Sequence, residues 1–291
     1  MVYPLSKVPV RDVFPMLSEI PDSPETLYIR GNLPPPDNRL LAVVGSRNYT
    51  DYGKQVVDYL IGGLRGYPIT IVSGLAIGID GFAHEATINA GLHALAVPGS
   101  GLDDSVLYPR SNYGLAQNIL KAGGGLLSEF EPDFHATQWS FPKRNRIMAG
   151  LSHAVLLIEA GERSGTLITA RMAVDYNREL LVVPGNIFSE NSKGTHQFLK
   201  LGATPVTTPT DILEVLNINN TQPSASENIS LSEEERTVLI ALSEPHDQDT
   251  LVRLLKQPAE ETLMLLVRME MRGLIKEENG VFFRLQTIAI Y

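Results

Sequence analysis

LLAVVGS, residues 40–46, is an unbroken apolar run closed by glycine and serine, and its form decides the fold. A strand with one wet face alternates apolar and polar residues, whereas a run apolar throughout is covered on both faces, as in parallel sheets. The same form returns in YPITIVSG (67–74), HALAVPGSG (93–101), GGLLSEF (124–130), HAVLLIEAG (153–161) and ELLVVPG (179–185). Between these runs lie helix-like stretches such as DYGKQVVDYLIGGL (51–64), GIDGFAHEATINA (78–90), YGLAQNILKAG (113–123) and SGTLITARMAVDYNR (164–178). Strands alternating with helices predict a doubly wound, mostly parallel α/β sheet of about six strands with right-handed crossovers.

Working outward, this domain is expected over residues 39–217. Residues 1–38 are proline-rich and read as an N-terminal lead-in, with ETLYIRGNL as a short strand and turn before PPPD breaks the chain. Residues 218–230 are polar, lack periodicity and read as a linker. Residues 231–291 then give three helices and a hairpin. Ser232 with Glu235 forms a capping-box pattern, Pro258 opens the last helix, Gly273 closes it, and the hairpin turns at Glu278-Asn279-Gly280. That order predicts a small winged-helix domain.

Composition narrows the function. The chain of 291 residues has no cysteine, so disulfides, thiolate metal sites and cysteine nucleophiles are excluded, which fits a reducing cytoplasm. No apolar run reaches the length of about 18 residues that a membrane helix needs. The six histidines are scattered without metal-ligand spacing. The net charge of −9 is unusual for a protein that binds nucleic acid. Any phosphate site must therefore be a local cationic patch or a set of backbone N–H groups.

Loops at the carboxyl ends of parallel strands are where such sheets hold ligands, and five of them carry unusual residues. In VVGSRNYTDYG (43–53) the chain turns closely at Gly45 and Ser46. There N–H groups can cradle a phosphate and Arg47 can grip it, although a plain turn with a surface arginine has the same sequence. SGLAIGID (73–80) permits close backbone approach but lacks the dinucleotide GxGxxG spacing. Arg110 and Asn112 follow Tyr108-Pro109, where solvated loop charge is the simpler reading. WSFPKRNRIMAGLS (139–152) concentrates Lys143, Arg144 and Arg146 beside Trp139 and Phe141. Charge for phosphate next to ring faces for bases suits single-stranded nucleic acid; a solvated helix end with core aromatics is the alternative. Ser164, Gly165 and Thr166 open a helix just after a strand, as an anion site or as an ordinary cap.

The series VVGSR, SGLAxGIDxxAH, LAVPGSGLDxxYPRxN, LLSEF, FPKRNRIMAGLS, SGTLITARMA and VVPGN, in that order over about residues 13–216, resembles the DprA/Smf DNA-processing family. The resemblance implies an extended Rossmann-like domain that binds single-stranded DNA during natural transformation, protects incoming strands, helps load the RecA recombinase and forms a homodimer. It implies no established catalytic activity, so no catalytic residue, cofactor or metal is expected. Carried onto this chain, Ser46 and Arg47 match the phosphate-binding turn and Arg110 the basic position after Tyr-Pro. Phe141, Lys143, Arg144, Asn145 and Arg146 match the segment lining the DNA pocket, and Ser164, Gly165 and Thr166 the small-residue helix start.

Two departures from the family pattern stand out. Ile77 replaces an arginine common in SGLARGID, and only a short lead-in precedes the Rossmann-like part, where many members carry an extra helical domain. Over 231–291 there are 7 Lys/Arg against 11 Asp/Glu, and Glu260 and Glu261 begin the candidate recognition helix. Like charge repels a duplex there, so that module is expected to serve interaction or regulation.

Two other functions fit a related fold. A LOG-type nucleotide phosphoribohydrolase needs a carboxylate beside its PGGxGTxxE turn. Here the corresponding stretch is GERSGTLIT, with Ile168 and Thr169 at the acidic positions. A small-nucleotide sensor would use the same groove without chemistry.

Overall fold

Leu41 and Val43 face one side of their strand and Leu40, Ala42 and Val44 the other, and all five are buried. Alternation with both faces dry is what a doubly covered strand requires. The computed structural model describes residues 3–218, 232–242, 244–255, 257–271, 274–278 and 280–284. The chain divides into two compact units, Met1–Pro223 and Ser224–Tyr291.

The first unit runs β1 (Leu5–Pro9), α1 (Val10–Val13), β2 (Thr26–Gly31), β3 (Arg39–Val44), α2 (Asp51–Gly62), β4 (Ile69–Ser73), α3 (Ile79–Asn89), β5 (His93–Ala96), α4 (Tyr113–Lys121), β6 (Gly125–Ser128), α5 (Ser140–Leu151), β7 (Ala154–Leu157), α6 (Thr166–Asp175), β8 (Glu179–Val182), α7 (Lys193–Lys200), β9 (Thr204–Pro205) and α8 (Pro209–Val215). These strands form one sheet in the order β1-β2-β6-β5-β4-β3-β7-β8-β9. From β6 to β9 every pairing is parallel; β1 and β2 are antiparallel to their neighbours. The fold is the expected mostly parallel Rossmann-like sheet.

Side chains of α2, α3 and α8 bury against one face with Leu41, Val43, Ile71 and Leu156. Those of α5, α6 and α7 bury against the other with Ala42, Val44, Val155 and Leu157. Strand order runs outward in opposite directions from β3 and β7, and the helices that follow them, α2 and α6, leave to opposite faces. The β3/β7 boundary is therefore the switch point, where the loops diverge and leave a crevice.

The sheet has nine strands rather than about six. Residues 1–38 do more than lead in: β1 and β2 pair in register from Leu5↔Arg30 to Pro9↔Thr26 and extend the sheet beyond β6. Val10, Phe14, Leu17, Ile20, Leu27 and Ile29 join the main core. Leu17 and Ile20 sit so close to Gly150 of α5 that a Cβ there would strike both. The edge β9 supplies the ninth strand.

The second unit holds α9 (Glu233–Ala241), β10 (His246–Asp247), α10 (Gln248–Leu255), α11 (Ala259–Met271), β11 (Ile275–Glu278) and β12 (Val281–Arg284), with a small antiparallel sheet in the order β10-β12-β11. Three helices and a hairpin appear in the order read from sequence, with β10 added. Ser232 accepts from the Glu235 N–H at 3.1 Å and Glu235 Oε2 from the Ser232 N–H at 2.9 Å, closing the capping box. This unit has its own core, including Val238, Leu239, Leu251, Leu266, Met269 and Phe282. The expected linker from 219 on, the helix stop at Gly273 and the turn residue Asn279 lie outside the described residues. No helix among the described residues is long and apolar enough to cross a membrane.

Candidate nucleic-acid interface

The loops after β3 and β7 open a cleft of about 590 Å³ at the switch point. Three arginines, Arg47, Arg144 and Arg163, and one carboxylate, Asp80, are among its lining residues. In a chain of net charge −9 this is a local positive patch.

The β3 side is built from the turn Gly45-Ser46-Arg47-Asn48. Ser46 Oγ accepts from the Asn48 N–H at 3.0 Å and donates to the Asn48 carbonyl at 2.8 Å, which closes the turn. Below it the buried Glu159 accepts from Thr50 N–H at 3.0 Å and from the Thr50 hydroxyl at 2.5 Å, fixing the start of α2. Thr50 in turn caps α2 through the Gly53 N–H. Arg47 is exposed, and its guanidinium lies 5.2 Å from the Phe141 ring centre. On the β7 side, Ser164 Oγ accepts from the Thr166 N–H at 3.2 Å, and the Thr166 hydroxyl reaches across to the Gly45 carbonyl at 2.9 Å. The two turns are thus tied to each other. The backbone N–H groups of Ser46, Arg47 and Gly165 have no hydrogen-bond partner among the described residues, and N–H groups in this position at a helix approach suit an anion.

A buried polar layer holds this rim from below. Arg144 donates to the Gly74 carbonyl at 2.5 Å, to the Val97 carbonyl and to Asn145 Oδ1 at 3.0 Å. Asp80 Oδ2 accepts from the Gly74 N–H at 3.1 Å, so both backbone groups of Gly74 are bracketed by charged side chains. A Cβ on Gly74 would collide with both, which is why the loop needs glycine. Burial raises the Asp80 carboxyl, with Arg144 pulling the other way. Burial lowers Arg144 to about 10, leaving it charged at neutral pH. Leu75 is held at a φ of 57°, where a leucine is strained. Asn112 Nδ2 clamps it by donating to the carbonyls of Leu75 and Ala76 at 2.9 and 3.0 Å.

Of the residues singled out from sequence, the structure brings Ser46, Arg47, Phe141, Arg144, Asn145, Ser164, Gly165 and Thr166 to one cleft. The basic cluster of α5 does not form one cationic strip, because the helical period divides it. Arg144 and Asn145 line the cleft, whereas Lys143 and Arg146 share another face and converge on Glu129 at 3.5 and 2.5 Å. Arg146, almost wholly buried, also meets Asp22 at 3.3 Å. These two cations fasten α5 to the segment after β6 and to the N-terminal segment. Arg144, although at the cleft, is only 4% exposed and spends its donors on backbone carbonyls, so it braces the rim rather than offering a free fork. Arg110 is not part of the lining: its guanidinium donates to the Asp104 carbonyl at 2.7 Å and stacks 4.3 Å from the Tyr113 ring centre. Trp139 packs edge-on with Phe130 and Phe134 instead of facing the cleft.

Sequence reasoning passed over Arg163. It is exposed, lines the cleft opposite Arg47 and forms no ion pair with a described residue. Its signal was a basic residue between Gly161 and Gly165 directly after a buried strand. Tyr108 was also missed as a ring: it is 47% exposed, sits 5.7 Å from Phe141 and lines a small side pocket with Arg47 and Ile77.

Known proteins match this chain along most of its length. Residues 7–217 match the family described as DNA recombination-mediator protein A. Protein Smf of Escherichia coli is 38% identical over 281 residues, covering 94% of this chain and 75% of that protein. DNA processing protein DprA of Bacillus subtilis is 39% identical over 211 residues, covering 71% and 70%. Among solved structures, DprA from Streptococcus pneumoniae superposes with a TM-score of 0.67 at 39% identity, covering 73% of this chain and 74% of that one. DNA processing protein A from Helicobacter pylori, whose structure was reported for its single-stranded DNA binding mode, superposes with a TM-score of 0.63 at 30% identity, covering 75% and 98%. With the fold, the ordered motifs and these relatives in agreement, the chain belongs to the DNA recombination-mediator protein A family, the DprA/Smf proteins.

Proposed function

We propose that this chain binds single-stranded DNA across the β3/β7 rim and acts in DNA processing without catalysing a reaction. One observation carries the reading. A single open cleft holds two arginines without ion pairs among the described residues, a set of N–H groups likewise without partners there, and the Phe141 ring. Arginines and N–H groups serve phosphates of any sequence, and a ring face serves any base. The Helicobacter pylori relative, described for its single-stranded DNA binding, supports the same ligand here. Protection of incoming strands, loading of a RecA recombinase, a homodimer and a cytoplasmic setting complete the reading and rest on the family resemblance.

The phosphoribohydrolase alternative needs an acid beside the anion turn. Ile168 and Thr169 line the cleft at the positions in question, and the Asp80 carboxylate is engaged with the Gly74 N–H. A binding role fits these side chains better than hydrolysis.

The test is a titration of the full chain with single-stranded and duplex oligonucleotides of one sequence, with a nucleoside monophosphate as competitor. Single strands are expected to bind with an affinity that falls with salt, by about 0.7 in log–log slope per phosphate contact. Duplex binding is expected to be far weaker, and the monophosphate is expected not to displace oligo-dT. Displacement near stoichiometric monophosphate would turn the cleft into a small-nucleotide pocket.

A further inference from the structure

Phe188 is 87% exposed, more than any other large apolar side chain among the described residues, and Ile187 beside it is 74% exposed. Both sit in the turn after β8. That turn is fixed rather than loose. Asn186 Oδ1 accepts from the Phe188 N–H at 2.9 Å, the Tyr52 hydroxyl donates to the Pro184 carbonyl at 2.7 Å, and Asn191 Nδ2 donates to the Asn48 carbonyl at 2.6 Å. The last two bonds join the β8 turn to the loop and helix that follow β3. Asn191, three residues beyond Phe188, lines the DNA cleft. The ring is therefore held in water on a turn whose far end, at Asn191, borders the cleft, forgoing the gain of about 1.5–3 kcal/mol that burial of a phenylalanine brings.

The sheet order supplies the geometry. Along the rim the loops follow β5, β4, β3, β7 and β8 in turn. The β5 loop carries Tyr108 against Phe141, the β3 and β7 loops carry Arg47 and Arg163, and the β8 loop carries Phe188. With neighbouring strands about 4.8 Å apart, the four intervals from β5 to β8 span roughly 19 Å. The rim thus has an aromatic ring at each end and cations between them, the pattern of a track for several nucleotides.

Taking the single-stranded DNA reading of the cleft as its basis, we propose that Phe188, flanked by Ile187, is a second base-stacking platform. It receives a nucleobase of the same strand where that strand leaves the cleft on the β8 side. Any base is accepted, since every base has a π face.

Fluorescence anisotropy of the full chain with oligo-dT of about three nucleotides, too short to span the rim, and about twenty nucleotides, at low salt, tests this. Phe188→Ala is expected to lose about tenfold in affinity for the longer strand, the value of one stacked base, and to bind the shorter one within about twofold of wild type. Phe188→Trp is expected to restore the longer strand. Unchanged affinity of Phe188→Ala for the longer strand overturns the proposal, as does an equal loss at both lengths. A smaller particle mass in sedimentation with DNA affinity intact also overturns it, because the ring would then be a protein contact. Wild-type protein that binds neither length removes the cleft reading itself, and this proposal with it.

Discussion

The β3/β7 rim of the first unit and the exposed face of α11 in the second both meet solvent, and they are made of opposite materials. The rim presents Arg47 and Arg163 with the Phe141 ring and N–H groups that have no partner among the described residues. On α11, Glu260 and Glu261 head an exposed stripe of Leu263, Met264 and Val267, while Thr262, Leu265, Leu266 and Met269 turn inward. A net charge of −9 is a sum over such surfaces, and phosphates respond to the local field within about a Debye length of 10 Å. An acidic chain can hold DNA at one place and repel it at another.

The largest expected effect strikes the rim. Arg47→Ala with Arg163→Ala removes both rim cations that are unpaired among the described residues, and with them two of the proposed charge-assisted phosphate contacts. The expected loss is on the order of a thousandfold in single-strand affinity, about 4 kcal/mol, with a shallower salt slope. Anisotropy titrations across salt measure both quantities, and an affinity within threefold of wild type would remove the rim from the comparison. Next comes the rear face of α5. Arg146→Ala leaves Glu129 buried with only Lys143 at 3.5 Å, so stability should fall by about 3 kcal/mol in urea denaturation. Single-strand affinity of the folded variant should stay within about twofold, as it should in Lys143→Ala. A large DNA defect in either variant without a stability change would restore one continuous cationic strip.

That division of α5 marks where sequence stopped being legible. The parallel sheet was readable from LLAVVGS and its repeats, because a strand dry on both faces has only one kind of sequence. The cleft was readable as a set of loops, because parallel strands deliver their carboxyl ends to one side. The job of each arginine was not. Lys143, Arg144 and Arg146 look alike in a string, and only their partners separate them: Glu129 and Asp22 lie far off in sequence, as do the Gly74 and Val97 carbonyls. The antiparallel edge failed to appear for a related reason. LSKVP is short and has no strand pattern of its own, and it becomes a strand by pairing with TLYIRG, a stretch that reads as a strand but does not name its partner.

A smaller effect sharpens the contrast from beneath the rim, where a layer of Asp80, His84 and Arg144 is buried while the inner side of α11 is mainly apolar. Burial pushes His84 from its ordinary value down to about 4. Between about pH 6.5 and about pH 4 the unfolded chain takes up a proton that the folded chain refuses, so stability falls as pH falls through this window. The full loss from this group is about 3 kcal/mol. Asp80, whose carboxyl is raised by burial, works in the opposite sense, since protonation relieves its buried charge, and the net slope is shallower than that of His84 alone. Denaturant unfolding of wild type and His84→Phe at neutral pH and near pH 5 checks this. Parallel pH dependence in the two proteins would show that His84 does not set the slope.

The smallest effect tests α11 itself. If its acids, rather than its shape, keep duplex DNA away, then Glu260→Lys with Glu261→Lys should convert repulsion into attraction. A change of four charge units at the head of the helix is expected to raise duplex affinity by about tenfold at low salt, near 1.4 kcal/mol, and the gain should vanish as salt screens it. Single-strand affinity should barely move, because the rim is unaltered. A duplex affinity that stays flat through this reversal would mean that the apolar stripe of Leu263, Met264 and Val267 governs the face. Charge would then be incidental there, and the contrast with the rim would be one of polarity rather than of sign.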